Sequence, residues 1–433
     1  MRTVCLVTLG LLLGYIILEK GGVYPNELFP AIFSLSLLAT VFAAQRRASL
    51  SPLPPITLAA LVWLAGVVAL QLIPLPASVT GFLSPARTGL EPDATARALT
   101  LSVVPAMTRE WLPVIFGCIL VFLLSRQLVG EFRNREWVVT YPLIALAVLA
   151  ALLGTVQYYS GASQTGASGT YVNRNHFAGF LEMCLPFPIC LAISHWRKQP
   201  DKYHTAIGPA VKACGFVLLA AVILLGIIHS LSRMGFVATL VSLYVIGLVV
   251  LRGGRNASRV RRLMPAVAVG LLIVAAFIFL PPDQLIARFG EMMNQTDGEA
   301  SRSRIWTDVV PMVRDFPLVG CGLGAFESCF HQYNRTAPNF RVDYAHNDYL
   351  QLLAELGLAG FLPLLFLAVL ALVASVGGAI RRAGEDRGLL ALACAGSLAA
   401  IAIHSIADFN LYIPANALVV AWVGGMALRP RQA

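Results

Sequence analysis

Charged residues are scarce in this sequence of 433 residues, and their scarcity excludes a water-soluble globular protein of ordinary composition. Only 12% of the residues are charged, whereas 58% are hydrophobic. Soluble globular domains carry about 25% charged residues. A chain of this length with so few polar side chains cannot cover a folded surface in water, so most of its surface must face lipid. The mean hydropathy of +0.74 agrees with this conclusion.

Signals that would indicate several other classes of protein are also missing. The first hydrophobic run follows Arg2 and continues into Glu19 and Lys20 without the small-residue site at which a signal peptide is cleaved. The short loops contain no glycine-rich phosphate-binding motif, which argues against ATP-driven transport and against chemistry on cytoplasmic sugar nucleotides. The outer loops lack an Asp-x-Asp pair or a cluster with the spacing of metal ligands. We therefore expect no metal and no other cofactor.

Long hydrophobic runs, in contrast, recur along the whole chain. About twelve of them approach the roughly 20 residues with which a helix crosses a bilayer. The predicted spans are Val4–Leu18, Leu28–Ala44, Ile56–Ile73, Leu112–Leu124, Trp137–Val156, Phe177–Ser194, Gly215–His229, Met234–Val250, Leu263–Leu280, Leu358–Val376, Leu389–Ile406 and Tyr412–Leu428. The sequence therefore predicts an all-α, polytopic membrane protein.

The distribution of basic residues predicts how these spans are oriented. Lys and Arg concentrate in the short cytoplasmic loops of membrane proteins. With the N-terminus inside, such loops alternate along the whole chain, and most acidic residues fall outside. The inner segments then contain Arg2, Arg46, Arg47, Arg126, Arg133, Arg135, Arg197, Lys198, Lys202, Lys212, Arg252, Arg255, Arg259, Arg261, Arg262, Arg381, Arg382, Arg387, Arg429 and Arg431. Both termini are thus predicted to be cytoplasmic, and this rule accounts for the net charge of +10 without nucleic-acid binding.

Two of the predicted outer loops are long, and the longer one divides the chain. Residues 1–280 contain the first nine spans with short loops, residues 281–347 form a large outer loop with short helices, and residues 348–433 contain the last three spans. The other long outer loop is Pro74–Trp111.

A helix and a turn are predicted inside the large outer loop. Ser301–Arg314 has the periodicity of an amphipathic helix, with an apolar stripe that contains Ile305, Val309 and Met312. Three glycines at alternate positions, residues 320 to 324, then predict a flexible turn.

Two of the eight cysteines differ in location from the others. Six lie in or beside hydrophobic spans, where a cysteine is usually a small buried hydrophobic residue. Cys321 and Cys329 lie in the large outer loop, where an oxidising compartment would permit a disulfide between them.

Four polar clusters interrupt the hydrophobic pattern, and the predicted orientation places all four on the outer side. Polar groups are costly near lipid, so such clusters indicate function. They are Asn173-Arg174-Asn175-His176, His229-Ser230-Leu231-Ser232-Arg233, the loop helix with Arg302, Arg304 and Trp306, and Tyr344-Ala345-His346-Asn347-Asp348-Tyr349.

The arginines in these clusters indicate an anionic ligand. Guanidinium stays charged at any relevant pH and binds phosphate oxygens through a bidentate fork. A single interfacial arginine more commonly extends toward lipid headgroups. Three separate outer segments that each supply arginine favour a diphosphate site at the membrane surface, where arginine can stabilise a leaving group without a metal.

His346 is the candidate general base, because imidazole titrates in the range useful for removing a proton from a hydroxyl. Asn347, Asp348, Asp343 or a residue of another loop is left as the group that orients it. The alternative is a histidine that only caps the start of a helix.

Three further polar residues lie near the outer ends of spans or within them. His404 and Asp408 have the i, i+4 spacing of a hydrogen-bonded pair on one helix face. They are a secondary acid–base candidate, although a buried structural pair is the more common meaning. Glu182 is an intramembrane carboxylate that either faces a cavity or pairs with a basic residue.

Four short motifs follow one another from residue 170 onward. They are Tyr171-Val172-Asn173-Arg174-Asn175-His176-Phe177-Ala178-Gly179, then Ser230-Leu231-Ser232-Arg233-Met234-Gly235, then Gly320-x-Gly322-x-Gly324-x-Phe326, and finally His346-Asn347-Asp348-Tyr349-Leu350-Gln351 with Glu355-Leu356-Gly357-Leu358-x-Gly360. In this order, and with a large outer loop between the second and the third, they resemble the O-antigen ligase and polymerase family of bacterial lipopolysaccharide assembly.

The resemblance implies a helical transferase of the bacterial inner membrane. Such a ligase moves O-antigen glycan from undecaprenyl diphosphate to lipid A core on the periplasmic face, with inversion and without metal or ATP. The essential positions of the family fall on His346, Arg233 and Arg302, and Arg302 is preferred to Arg304 because it lies four residues before Trp306. The further candidates for contact with diphosphate or glycan are Arg174, Arg304, Asn173, His176, Asn347 and Asp348.

Other functions share these motifs. An O-antigen polymerase uses the same donor but extends another lipid-linked glycan. A protein O-oligosaccharyltransferase modifies Ser or Thr and usually has a longer outer region at its C-terminus. A solute transporter would carry polar residues near the bilayer midplane, whereas here they gather at one face. The sequence therefore favours the ligase, with donor glycan, acceptor core and membrane lipids as its partners.

Overall fold

The computed structural model describes residues 1–46, 50–90, 98–161, 166–197, 207–252, 302–336, 338–383 and 385–430. Within these ranges the regular structure is helical, and β-pairing is limited to one isolated antiparallel bridge between Leu75 and Leu99. The prediction of an all-α fold is confirmed.

Most of the described chain belongs to helices that run between the two sides of the protein. In chain order, the helices are α1 (Arg2–Leu18), α2 (Pro25–Arg46), α3 (Pro55–Leu70), α4 (Ala77–Leu83), α5 (Pro85–Gly89), α6 (Pro105–Glu131), α7 (Tyr141–Tyr159), α8 (Arg174–Cys184), α9 (Pro186–Arg197), α10 (Ile207–His229), α11 (Arg233–Arg252), α12 (Arg302–Asp315), α13 (Phe326–Phe330), α14 (Asp348–Arg381), α15 (Asp386–His404) and α16 (Pro414–Ala427). Short 3₁₀ helices occupy Glu136–Thr140 and Asn410–Tyr412.

The helices agree with the predicted membrane spans. In the part of the chain that the structure describes, eight helical segments are long and apolar enough to cross a membrane, and α1, α3 and α16 are shorter apolar helices. Together they account for every predicted span except Leu263–Leu280, which lies outside the described residues. The chain is therefore a multi-pass membrane protein.

Helices α8 and α9 form the centre of the bundle. In their combined segment, Arg174–Arg197, every residue of the most hydrophobic stretch is buried. In the most hydrophobic stretch of α14, only 22% of the residues are buried. Helix α8 packs against α7, α10, α11, α15 and α16. Close packing is possible because small residues lie at the contacts, with Gly235 of α11 against Ala178 and Gly226 of α10 against Ala151 of α7.

The large outer loop contains the predicted amphipathic helix, observed as α12. Its predicted apolar stripe is confirmed, because Ile305, Val309 and Met312 are all buried. The stripe packs in a small cluster that includes Phe316 and Phe326, and α12 lies against the outer end of α14. The loop therefore forms a compact cap on one end of the bundle.

The glycine-rich segment after α12 makes the predicted turn, but the prediction that it is flexible is wrong. Gly320, Gly322 and Gly324 all adopt positive φ, a backbone conformation that other residues rarely adopt. The turn is held by backbone hydrogen bonds from Cys321 N to Ala354 O and from Gly322 N to Glu355 O. It is ordered because its amides pair with the start of α14.

Buried polar side chains tie this turn to the rest of the outer region. Gln71 donates to the carbonyl oxygens of Val319 and Glu355 at 2.7 and 2.8 Å, and its own oxygen accepts from Leu323 N at 3.0 Å. The Glu355 carboxylate accepts from Gly324 N at 2.7 Å. Because unpaired buried polar groups are costly, these interlocking bonds fix the turn in one arrangement.

Helix α14 is interrupted at Gly357, where φ is +59° and ψ is −171°. A side chain at this position would collide with the backbone carbonyl of Leu318. The interruption lets Leu358 N and Ala359 N donate to the carbonyl oxygens of Pro317 and Leu318. The loop thereby docks directly on the backbone of α14.

We expect Gly357→Ala to lower the thermal unfolding temperature of the protein in detergent. This backbone conformation, which is essentially limited to glycine, alone costs an L-residue roughly 1–3 kcal/mol, and the collision with Leu318 adds to this. Gly66→Ala in α3 is the matched control, because a side chain there meets no atom within 4 Å. Equal unfolding temperatures for the two variants would contradict this account of the interruption.

Candidate active site

The candidate active site is built around the turn between α15 and α16, residues 405–412. Asp348, at the start of α14, anchors this turn. Its backbone N donates to the carbonyl oxygens of Ser405 and Asp408, and its carboxylate accepts from Ser405 Oγ at 2.7 Å and from Leu411 N at 3.2 Å. Asp348 is fully buried. Its carboxylate is enclosed by the turn that it holds, and contact of Asp348 with substrate stays a prediction.

The carboxylate of Asp408 is the point at which three of the four predicted clusters meet. Oδ2 accepts from Asn175 Nδ2 at 2.7 Å and lies 3.6 Å from Arg302 Nη2. Oδ1 lies 3.5 Å from His176 Nε2 and 3.8 Å from His346 Nδ1. The side chain of Asp408 has no exposed surface. One buried carboxylate thus joins α8, α12 and the segment before α14.

The cationic and polar neighbours of Asp408 keep it ionised. Burial raises the pKa of the carboxyl, but His176 and His346 act in the opposite direction and hold this pKa well below its usual range. A backbone hydrogen bond from Phe409 N, at 2.9 Å, adds to the stabilisation of the charged form. The site therefore contains a fixed negative charge beside two imidazoles and a guanidinium.

His346 is the histidine of this group that reaches the surface. One third of its side chain is exposed, whereas its Nδ1 atom is buried on the side of Asp408. Its φ of +51° is unusual for a residue other than glycine, and residues held in such conformations concentrate at functional sites.

The residues around His346 explain how this conformation is held. The carbonyl of Ala345 accepts from Trp306 Nε1 at 2.9 Å, and its N donates to Gln351 Oε1 at 2.9 Å. Asn347 caps α14 by accepting from Leu350 N at 3.1 Å. Of the orienting groups left open by the sequence, a residue of another loop, Asp408, lies near His346, with its Oδ1 3.8 Å from Nδ1.

His176 also lies near the Asp408 carboxylate, but on the buried side of it and not at the surface. Its side chain is only 4% exposed. The ring of Phe409 separates the two histidines, with centroid distances of 4.5 Å to His176 and 5.0 Å to His346, and Tyr344 stacks on it at 3.9 Å. The site residues themselves enclose His176, and its contact with substrate stays a prediction.

The predicted pair of His404 and Asp408 does not form. The Nδ1 atom of His404 lies 3.0 Å from both oxygens of Glu182, and both side chains are completely buried. The i, i+4 relation fails because α15 ends at His404, so that Asp408 is not on the same helix. Glu182 accordingly pairs with a basic residue, one of the two alternatives left open by the sequence.

The two candidate arginines of α12 differ in position. Arg302 donates through Nη1 to the carbonyl of Ala407, next to its contact with Asp408. Arg304 is two residues further along the helix, about 200° around its axis, and so points to a different face. Of the two, Arg302 is the one that the fold brings to the 405–412 turn.

Arg174 and Arg233 are the first residues of α8 and α11. The preceding residues cap these helices, since Asn173 Oδ1 accepts from Asn175 N at 2.8 Å and Ser232 Oγ from Gly235 N at 3.2 Å. The first turns of α8 and α11 are in contact through Ala178 and Gly235. Both arginines therefore begin helices that pack against each other near their first turns.

His229, the one histidine of the second cluster, lies in a different environment. Its ring stacks on Tyr158 at 4.4 Å, and its Nδ1 lies 3.3 Å from Thr155 Oγ1. It is therefore part of the contact between α7 and α10. Within the described ranges, no group of three or more His, Cys, Asp or Glu side chains has the arrangement of a metal site.

The comparisons with known proteins agree with the motifs. Residues 217–365 match the model of the protein family described as O-antigen ligase. Over this stretch the chain is similar to the O-antigen ligase family. The resemblance predicted from the motifs is thereby confirmed. A search of curated proteins finds no match to the chain.

The O-antigen ligase match and the site overlap only in part. The matched range contains Arg233, Arg302 and His346. Asp408 and Asn175 lie outside it. Sequence reasoning did not select Asn175 or Phe409 as site residues. The available signals were that Asn175 lies in a polar motif and that Phe409 directly follows Asp408. In the folded protein, these residues, which precede and follow the matched range in the chain, lie in the same site as the residues within that range.

We expect Asp408→Asn to lower the free energy of unfolding by about 1.5–3 kcal/mol, which is typical of hydrogen bonds to a buried charged group. The variant keeps the shape of the side chain but removes the charge that faces His176, His346 and Arg302. Thermal unfolding in detergent at neutral pH measures the change.

Asp343→Asn is the matched control, because this carboxylate is 53% exposed and pairs with Arg341. Exposed ion pairs contribute at most about 1 kcal/mol. Losses of similar size in the two variants would show that Asp408 does not hold the site together.

Proposed function

We propose that the protein is an O-antigen ligase, a glycosyltransferase that moves glycan from undecaprenyl diphosphate to lipid A core on the periplasmic face of the bacterial inner membrane. The family match supports a glycosyl-transferring ligase or polymerase. The observation that carries the proposal is the exposed imidazole of His346, backed by the buried carboxylate of Asp408 with Arg302 on the same carboxylate.

His346 is the general base of the proposed reaction. The acceptor hydroxyl gives its proton to Nε2 while Nδ1 faces the Asp408 carboxylate, which stabilises the imidazolium that forms. The distance of 3.8 Å from Nδ1 to Asp408 Oδ1 is longer than a hydrogen bond. Such contacts commonly shorten when substrate binds. Asp408 is thus a positioning residue, since it acts through His346.

The arginines are the proposed diphosphate site. Arg302 uses one donor on Ala407 O, and a guanidinium has five N–H donors, so others remain for phosphate oxygens. Its side chain is 37% exposed. Arg174 and Arg233 begin α8 and α11, where the helix dipole adds positive potential. Helix N-termini are favourable places for phosphate groups.

The proposed chemistry is a direct displacement. The acceptor oxygen forms a bond to the anomeric carbon as the bond from that carbon to the diphosphate oxygen breaks, which inverts the configuration. The proton of the hydroxyl moves to His346, and the electron pair of the broken bond stays on undecaprenyl diphosphate. The arginines stabilise this negative charge as it develops, which is the largest single contribution in many transferases.

A polymerase is the second candidate, because the family match does not separate the two acceptors. Both reactions use the same donor and the same leaving group. They differ in whether the attacking hydroxyl belongs to lipid A core or to another lipid-linked glycan. One assay that supplies both acceptors distinguishes them.

We expect His346→Ala to reduce glycan transfer by about 10²–10⁴-fold, the usual contribution of a general base. The assay contains purified protein, undecaprenyl-diphosphate glycan and lipid A core in detergent, and gel mobility reports the modified core. His331→Ala, a substitution in an exposed loop, is the control and should retain activity.

Longer glycan on the donor lipid, with unmodified core, would identify a polymerase. Full transfer by His346→Ala would refute the role of His346, and no transfer by the wild type to either acceptor would refute the proposed function.

We expect Arg302→Lys to reduce transfer by about 10²-fold or more, a loss comparable to that of a preorganised oxyanion donor. Lysine keeps the positive charge but cannot contact Ala407 O, Asp408 and a phosphate at the same time. Arg304→Lys is the matched control two residues away and should change the rate little. A greater loss in Arg304→Lys than in Arg302→Lys would reverse the assignment of the two arginines.

A further inference from the structure

Cys321 and Cys329 form a buried pair of thiols in the outer loop. Both are free cysteines with 0% and 2% of their surface exposed. They pack in the same apolar cluster as Phe326 and Ala354. The proposed reaction makes no use of them.

Two consecutive turns of the backbone bring these cysteines together. Gly322 O accepts from Ala325 N at 3.0 Å, and Ala325 O accepts from Cys329 N at 3.1 Å. The left-handed conformations of Gly322 and Gly324 allow the first reversal. As a result, the side chains of Cys321 and Cys329 lie in the same buried apolar cluster.

We propose that Cys321 and Cys329 are joined by a structural disulfide in the mature protein. The inference rests on the outer location of this loop in the proposed function, because disulfides form in the oxidising periplasm and are rare in the cytosol. The two thiols give up two protons and two electrons to a disulfide-exchange oxidant of that compartment. The oxidant attaches to one cysteine as a mixed disulfide, and the second cysteine displaces it as a dithiol.

Burial explains when this bond forms and why it persists. Burial and the neighbouring Cys329 thiol raise the pKa of the Cys321 thiol well above its usual value, and the thiolate is the reactive form. We therefore expect the exchange to be faster while the thiols are still exposed. Once the cluster closes, reductants in the solvent have no access to the bond.

The disulfide would stabilise the segment between Cys321 and Cys329, which supports the proposed site. Cys321 is fixed by hydrogen bonds from its N to Ala354 O and from Val103 N to its carbonyl. The segment between the cysteines supplies Gly324 N and Phe326 N to the Glu355 carboxylate. A covalent link across this segment would hold those amides in place.

A second pair of buried cysteines in the same chain is the control for oxidation of the first pair. Cys190 of α9 and Cys394 of α15 are also buried and lie close enough to interact electrostatically. They are located within membrane-spanning segments, where a periplasmic oxidant has no access. If location decides oxidation, the outer pair should be linked and the inner pair should stay reduced.

The test is peptide mapping of the full-length protein purified from bacterial membranes. Free thiols are alkylated under denaturing conditions without reductant, and the digest is analysed by mass spectrometry before and after reduction. We expect a peptide pair joined through Cys321 and Cys329 and lighter by two hydrogen atoms than the two reduced peptides. Cys190 and Cys394 should carry the alkyl group.

A second measurement separates a covalent role from a packing role. Reductant added to the denatured wild type before refolding, and the double variant Cys321→Ser with Cys329→Ser, should lower the unfolding temperature by similar amounts. Cys190→Ser should leave the effect of reductant unchanged.

Alkylation of both Cys321 and Cys329 in protein that transfers glycan would overturn this inference and leave the proposed function intact. A linked pair in protein that transfers no glycan to either acceptor would support the disulfide while the proposed function fails.

Discussion

The outer half of the structure depends on one buried negative charge, the carboxylate of Asp408. A charge without water must be surrounded by partners, or it destabilises the fold by several kcal/mol. Here the partners come from three distant parts of the chain, with Asn175 on α8, Arg302 on α12 and His346 before α14. Satisfying the carboxylate therefore forces the loop, the central helix and the last two helices into one arrangement, and this arrangement leaves one imidazole partly exposed.

Other buried polar groups that are hydrogen-bonded to distant parts of the chain support this arrangement. Asp348 holds the 405–412 turn, Glu355 holds the glycine-rich turn and Tyr412, and Gln71 joins both long outer loops. Such networks specify one geometry because each missing bond would leave a desolvated group. His346 keeps a left-handed conformation in this framework, since Trp306 and the residues that follow His346 fix the backbone on either side.

Local sequence patterns were sufficient for the helices and for the residue types of the site. Hydrophobic length predicted the spans, and a 3.6-residue period predicted α12 with its buried stripe. The same local reasoning failed where a helix ends. His404 and Asp408 have helical spacing, but α15 stops between them, and His404 turns to Glu182 instead. The turn at Gly322 was recognised from its glycines, whereas its order comes from contacts with α14 that no local pattern contains.

The sequence by itself determined that this protein is a bundle of membrane helices with arginines and a histidine on one face, because hydrophobicity and charge act over a few neighbouring residues. Only the tertiary structure decided which carboxylate faces His346, which arginine of α12 reaches it and which histidine remains buried. Asn175 and Asp408 are 233 residues apart in the chain. A contact at that separation is set by how helices pack, and small residues such as Gly235 and the need to pair buried charges select the packing.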